Sequence, residues 1–288
     1  MSPLALACVL LAAVSHATWN LLARRADEKL AFLWCGNLVA SVVFAPLGIW
    51  LLATHPIPPA GWGVVGMSAV LEALYYWTLA QAYRYGELSL VYPIARGTAP
   101  ILVPVLAMLF LGEHLSGLAL SGIGLVVVGT VAIHTRALGM PTLGAVAGVI
   151  GQLGTRYALL TGLVIATYSA LDKYGVSLVT PLLYGYLLFC GLTLILLPAM
   201  LRQRTAVLGE WQRHRGSIVV VGLLAPASYG LVLLALTLAP VSYVAAAREV
   251  SVVLAALLGA VVLREGYGRQ RLLGSTAIAA GLMLLVLG

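Results

Sequence analysis

Ten apolar stretches of about 20 residues, near 3–23, 30–53, 61–83, 88–111, 116–134, 155–173, 178–201, 216–238, 240–262 and 269–288, leave this chain few ways to fold. In hydrocarbon no water can satisfy an exposed peptide group, so each stretch must close its own backbone hydrogen bonds as an α-helix. Composition agrees. With 62% of residues hydrophobic and 9% charged, too little polar surface remains for a water-soluble domain. The expected class is an all-α integral membrane protein with ten transmembrane helices.

The first stretch raises the question of a cleaved leader. Ser15-His16-Ala17 weakly resembles a cleavage site, but Met1-Ser2-Pro3 carries no positive charge, so the stretch is read as a retained helix. The formal charge of +7 is not a nucleic-acid footprint. The basic residues sit in short loops between apolar runs, where they set orientation and meet anionic headgroups. Cys8, Cys35 and Cys190 fall within apolar runs. Their spacing suits neither a zinc site nor a thiol pair, and they are read as buried small hydrophobes. No cofactor or metal is expected.

The stretches are arranged as one unit used twice. Arg96, Glu113, Gly122 and Gly129 recur at Arg248, Glu265, Gly274 and Gly281, each shifted by 152 residues. Ala17-Thr18-Trp19 also echoes Ala166-Thr167-Tyr168. Thr135 to Gly154, rich in Gly, Thr and Pro, is the one long connection. It divides the chain into a first five-helix repeat (1–134), a linker (135–154) and a second five-helix repeat (155–288). Because five is odd, consecutive repeats cross the membrane in opposite senses, which makes two inverted five-helix repeats, an architecture of many secondary transporters. Loop bases following the odd-numbered helices run from Arg24 and Arg25 to Arg269 and Arg271, against Lys173 alone on the other face. The positive-inside rule then puts both termini outside the cytoplasm.

Several ordered segments carry a resemblance. They are His16-Ala17-Thr18-Trp19-Asn20, the passage from Ala82 to Pro93, Arg96 with Pro100, and Leu111-Gly112-Glu113 with Gly122 and Gly129. The second copy supplies Ala239-Pro240-Val241-Ser242, Arg248, Glu265, Gly274 and Gly281. Together they resemble the drug/metabolite transporter superfamily in its EamA-type ten-helix branch, over nearly the whole chain. The resemblance implies a secondary transporter of small metabolites in the cell membrane, with a cavity between the halves and both termini inside. Two departures stand out: Arg264 replaces the counterpart of Gly112, and the loop charges oppose the termini-inside arrangement; the first helix also lacks the glutamate on which short four-helix multidrug relatives rely.

Residues able to carry chemistry are few in so apolar a chain. Arg96 and Arg248 each lie roughly 12 Å into a helix, where an arginine costs about 2.5–3.5 kcal/mol unless paired or hydrated. One reading has them bind an anionic substrate group bidentately. The other makes them locking pairs, Arg248 beside Glu249 or Arg96 with Glu72. Glu72 shares a helix face with Tyr75 and Tyr76, which suits either proton coupling or a permanent ion pair. Glu249 is open to the same two roles. His16, Trp19 and Asn20 lie on one helical face, so His16 is a candidate for proton coupling and Asn20 for substrate contact. Hydrogen bonding between helices explains His16 and Asn20 equally well. Trp19, Tyr76 and Tyr168 are candidates to line a cavity and stack on substrate. Asp172 and Lys173 lie near a helix end and are read as solvated at the interface. Glu113 and Glu265 are read as caps or as partners of loop bases, and the repeated glycines as close helix contacts. Pro93, Pro100 and Pro104 are expected to kink the fourth helix.

The functional reading is a secondary transporter of small organic metabolites, amino-acid-like or anionic, working by alternating access with proton coupling. The alternative is a membrane-embedded enzyme. The chain has no His-Glu-x-x-His, no Gly-x-Ser-x-Gly and no Walker loop to support that alternative. The expected partners are a small-molecule substrate and the lipid bilayer, with room for a homodimer and none for nucleic acid.

Overall fold

The computed structural model describes residues 1–23, 26–86, 88–134, 151–254, 257 and 269–288. The protein is all-α, with no strand among these residues. In chain order the helices are α1 (Pro3–Ala23), α2 (Lys29–Val43), α3 (Ala45–Thr54), α4 (Pro59–Tyr85), α5 (Leu88–Phe110), α6 (Gly117–His134), α7 (Leu153–Leu178), α8 (Pro181–Arg202), α9 (Arg204–Leu238), α10 (Val241–Ala247) and α11 (Arg269–Leu287). Among the described residues α1, α4, α8 and α9 are each long and apolar enough to cross a membrane, and the bent pair α2–α3 makes a fifth such span. The remaining helices occupy the other expected stretches. Large side chains such as Leu109, Phe110 and Leu194 stand exposed, as suits a surface facing lipid rather than water.

Three spans differ from the uniform helices that hydropathy predicts. The second breaks at Phe44, where the backbone leaves helical values (φ −87°, ψ 1°) and α3 departs at 55°. Pro46 in the first turn of α3 is the cause, because its ring has no N–H and would crowd the carbonyl four residues earlier. The eighth begins earlier than expected. A polar arm from Arg204 precedes the apolar run, and the helix kinks at His214 (φ −125°, ψ 18°). The ninth departs from α-helical bonding just after Arg248: the N–H groups of Glu249, Ser251 and Val252 each bond a carbonyl three residues back, at 2.9–3.1 Å. By contrast α5 runs as one helix through Pro93, Pro100 and Pro104.

The chain forms two compact units, each drawing on both sequence copies. One takes residues 1–2, 74–170 and 240–288; the other takes 3–73 and 171–239. In the first unit α6 packs along α11. A Cβ on Gly122 would fall 2.7 Å from the Gly281 carbonyl oxygen, and one on Gly281 would fall 2.6 Å from that of Gly122. Gly129 and Gly274 face each other in the same reciprocal way, at 2.6 Å in both directions. The earlier glycine of one helix therefore meets the later glycine of the other, so repeat counterparts run antiparallel. This crossing carries the inversion of the two repeats. Ala119, Ile123, Val126, Tyr243, Ala246 and Leu285 form a buried cluster beside it.

In the second unit α1 and α9 are tied by a matching exchange. Ser15 Oγ donates to the Leu224 carbonyl at 3.0 Å, and Ser228 Oγ donates to that of Ala12 at 2.9 Å. Gly36 and Gly222 let α2 approach α9, and Phe32, Cys35, Met200, Ile218 and Val221 fill the core beside them. Of the three cysteines only Cys35 is buried, while Cys8 and Cys190 are half-buried. Residues 135–150 and Glu265 lie outside the described residues, so the expected linker and the second glutamate have no structural account here.

Candidate functional site

In the first unit the two copies meet through an ion pair. Arg96 Nη2 on α5 donates to Glu249 Oε1 at 2.9 Å, and Thr130 Oγ1 on α6 lies 3.4 Å from Glu249 Oε2. Glu249 is buried and Arg96 is partly accessible. An arginine held bidentately or through several donors in low dielectric needs such a counter-charge. Its partner, Glu249, comes from the other copy. Arg248 and Glu249 occupy the stretch where the ninth span shifts to three-residue bonding. Short stretches of such geometry in a helix are frequent at functional hinges.

Glu113 proves to be a cap, though not of the helix that follows it. Its carboxylate accepts from the Val241 N–H at 2.5 Å and from Ser242 Oγ at 2.6 Å. It thereby satisfies free donors at the start of α10 and places a negative charge at that helix N-terminus. A glutamate of the first copy thus positions the helix that leads into Arg248 and Glu249.

Tyr168 is buried and meets Tyr75 edge-on, with ring centroids 6.2 Å apart, and Tyr75 meets Tyr76 at 5.3 Å. This aromatic row joins α4 and α7 within the first unit. Its sequence counterpart behaves differently. Trp19, in the second unit, meets His16 edge-on at 4.8 Å and packs against the cluster around Phe32 and Cys35. Asn20 Nδ2 donates to the His16 carbonyl of its own helix at 2.8 Å.

The second unit also contains a carboxylate that the sequence reading misplaced. Asp172 is 1% exposed, not solvated. Oδ1 accepts from Ser68 and, at 2.7 Å, from Tyr184; Oδ2 accepts from Tyr229. Three hydroxyls from α4, α8 and α9 converge on it. Gly175 makes room, since a Cβ there would fall 2.8 Å from the Tyr184 hydroxyl oxygen. Lys173 is likewise held, donating to the Leu236 and Ala239 carbonyls at 2.5 and 3.0 Å, where the C-terminus of α9 favours a cation. Glu72 is half-buried on α4, one turn beyond Ser68. Tyrosines at 184 and 229 within apolar runs were the available signal, because a buried phenol needs an acceptor. Replacing Tyr184 by phenylalanine should cost about 1.5–3 kcal/mol, the value of a hydrogen bond to a charged group. Asp172→Ala should cost more, because three donors lose their acceptor; thermal unfolding in detergent measures both.

The sequence pattern of the EamA-like transporter family matches residues 3–135 and again residues 152–287. This chain belongs to that family. As an EamA-like protein it is a multi-span membrane transporter of the drug/metabolite type and not an enzyme. A solved crystal structure shares the fold, with a TM-score of 0.70 over 98% of this chain and 96% of that one, at 16% identity. None of the curated proteins is recognisably similar in sequence.

Proposed function

We propose that this EamA-like protein carries a small organic metabolite bearing an anionic group, amino-acid-like or otherwise, across the cell membrane by alternating access. The observation that supports the anionic reading most is the Arg96–Glu249 pair at the altered turn of the ninth span. A guanidinium that already holds a carboxylate through a charge-assisted bond can exchange it for a carboxylate on a substrate. Release of Glu249 would then loosen a stretch already short of full α-helical bonding, which gives the transporter a place to bend. Arg248, Tyr76 and Tyr168 are the further candidates for substrate contact, with Trp19 and Asn20. Glu72, Glu249 and His16 are the candidates for carrying a coupled proton.

Uptake into proteoliposomes, with and without an imposed proton gradient, tests the reading. Carboxylate-bearing metabolites should enter faster than their amide analogues, and Arg96→Gln should reduce that entry by about ten-fold or more, the equivalent of one charge-assisted contact. Equal uptake of acids and amides would remove the anionic reading. Proton-driven uptake that survives Glu72→Gln unchanged would remove Glu72 from the coupling.

A further inference from the structure

We propose that Asp27, Glu210 and His214 form a binding site for a divalent transition-metal ion, best matched by zinc, at the connection between α1 and α2. Glu210 and His214 lie four apart on one helix, a spacing that can hold a metal ion, and Asp27 joins them from a distant segment, so the full site exists only in the folded second unit. One ligand atom from each lies within 4.8 Å of the other two.

Glu210 is the residue that points to a ligand. Its side chain is 1% exposed. Oε1 accepts the Glu28 N–H at 2.6 Å, next to the start of α2. Oε2 has no hydrogen-bond partner among the described residues. A buried carboxylate oxygen without a donor is costly unless a positive charge comes to it. His214 Nε2 faces that oxygen at 4.0 Å, too far for a hydrogen bond. A tetrahedral ion with bonds of about 2.0–2.1 Å sets its ligand atoms about 3.3–3.4 Å apart. Asp27, which is 60% exposed, and His214, which sits at the kink of α9, are the side chains that would move to close the gaps.

The donor set selects the metal. One imidazole nitrogen with two carboxylates suits zinc, cobalt or nickel, whereas calcium and magnesium prefer oxygen alone. Asp27 is engaged by Arg213 Nη1, a cation that competes with the ion for the same oxygen. The ion would fasten the α1–α2 connection to the polar arm of α9, outside the residues proposed for transport. The competing account is a direct pair between protonated His214 and Glu210, with no metal.

Equilibrium dialysis of the full-length protein in detergent against zinc, with cobalt absorption as a second readout, separates the two. One ion per chain should bind, with a cobalt spectrum of tetrahedral type. Glu210→Gln keeps the acceptor for Glu28 and His214→Ala alters a partly accessible side chain; each removes a direct ligand and should weaken binding by more than the about 10–100-fold that loss of an outer-shell partner costs. Arg213→Gln should tighten it, because the competing cation is gone. His55→Ala and His114→Ala should leave it unchanged. Absence of a bound ion in the wild type, or wild-type affinity in both Glu210→Gln and His214→Ala, overturns the site. An Arg213→Gln variant with unchanged affinity overturns the part assigned to Asp27.

Discussion

Arg96→Met and Glu249→Leu, made one at a time, are each expected to lower folding stability by about 3–5 kcal/mol, because each strips a counter-charge from a group inside the first unit. Their double variant should recover most of that loss, since exchanging a buried pair for apolar side chains of similar volume is often neutral. Transport should stay absent in all three. The double variant is therefore the informative one. Restored thermal unfolding in detergent together with lost uptake in proteoliposomes assigns the pair to substrate handling. A double variant that transports like the wild type would reduce the pair to scaffolding. The single variants alone cannot make this distinction, because a protein that fails to fold also fails to transport.

The crossing of α6 and α11 should be as intolerant. Gly129→Val is expected to abolish the monodisperse peak in detergent size-exclusion chromatography. Its Cβ would start 2.6 Å from the Gly274 carbonyl oxygen, against 3.4 Å or more for ordinary contact. That neighbour is backbone and cannot rotate away, so the penalty should exceed the about 1–3 kcal/mol usual for an overpacked core. Gly281→Val should behave alike, because its contact with Gly122 is the mirror of the first. Gly124→Ala on the same helix meets nothing within 4 Å and should be neutral or slightly stabilising, as the added side chain lowers the entropy of the unfolded chain. If Gly129→Val and Gly124→Ala behave the same, the crossing has been misjudged.

Much of this was legible beforehand for a simple reason. A bilayer imposes two rules, closed backbone hydrogen bonding and a fixed span length, and both act on local sequence. The repeat of Arg96, Glu113, Gly122 and Gly129 announced the duplication, and an odd number of helices per copy implied the inversion that the glycine crossing carries. The break at Phe44 was also written locally, in Pro46, though a hydropathy window averages over it.

The candidate sites were less legible, because choosing a partner is a matter of three dimensions. Arg96 could be marked as expensive to bury, but that Glu249 of the other copy answers it depends on how α5 and the ninth span pack. Glu113 could be marked as a helix-end carboxylate, yet the helix it caps starts 128 residues later. Asp172 went wrong for the opposite reason. Position near a helix end suggested water, and only the convergence of Ser68, Tyr184 and Tyr229 reveals an enclosed carboxylate. From its sequence alone this protein was bound to be a duplicated, all-helical membrane protein of transporter type, since apolar length and repeat spacing act along the chain. Which charges meet, which glycines touch and that Asp27 joins Glu210 and His214 were decided by tertiary structure, since those contacts join segments that no local rule connects.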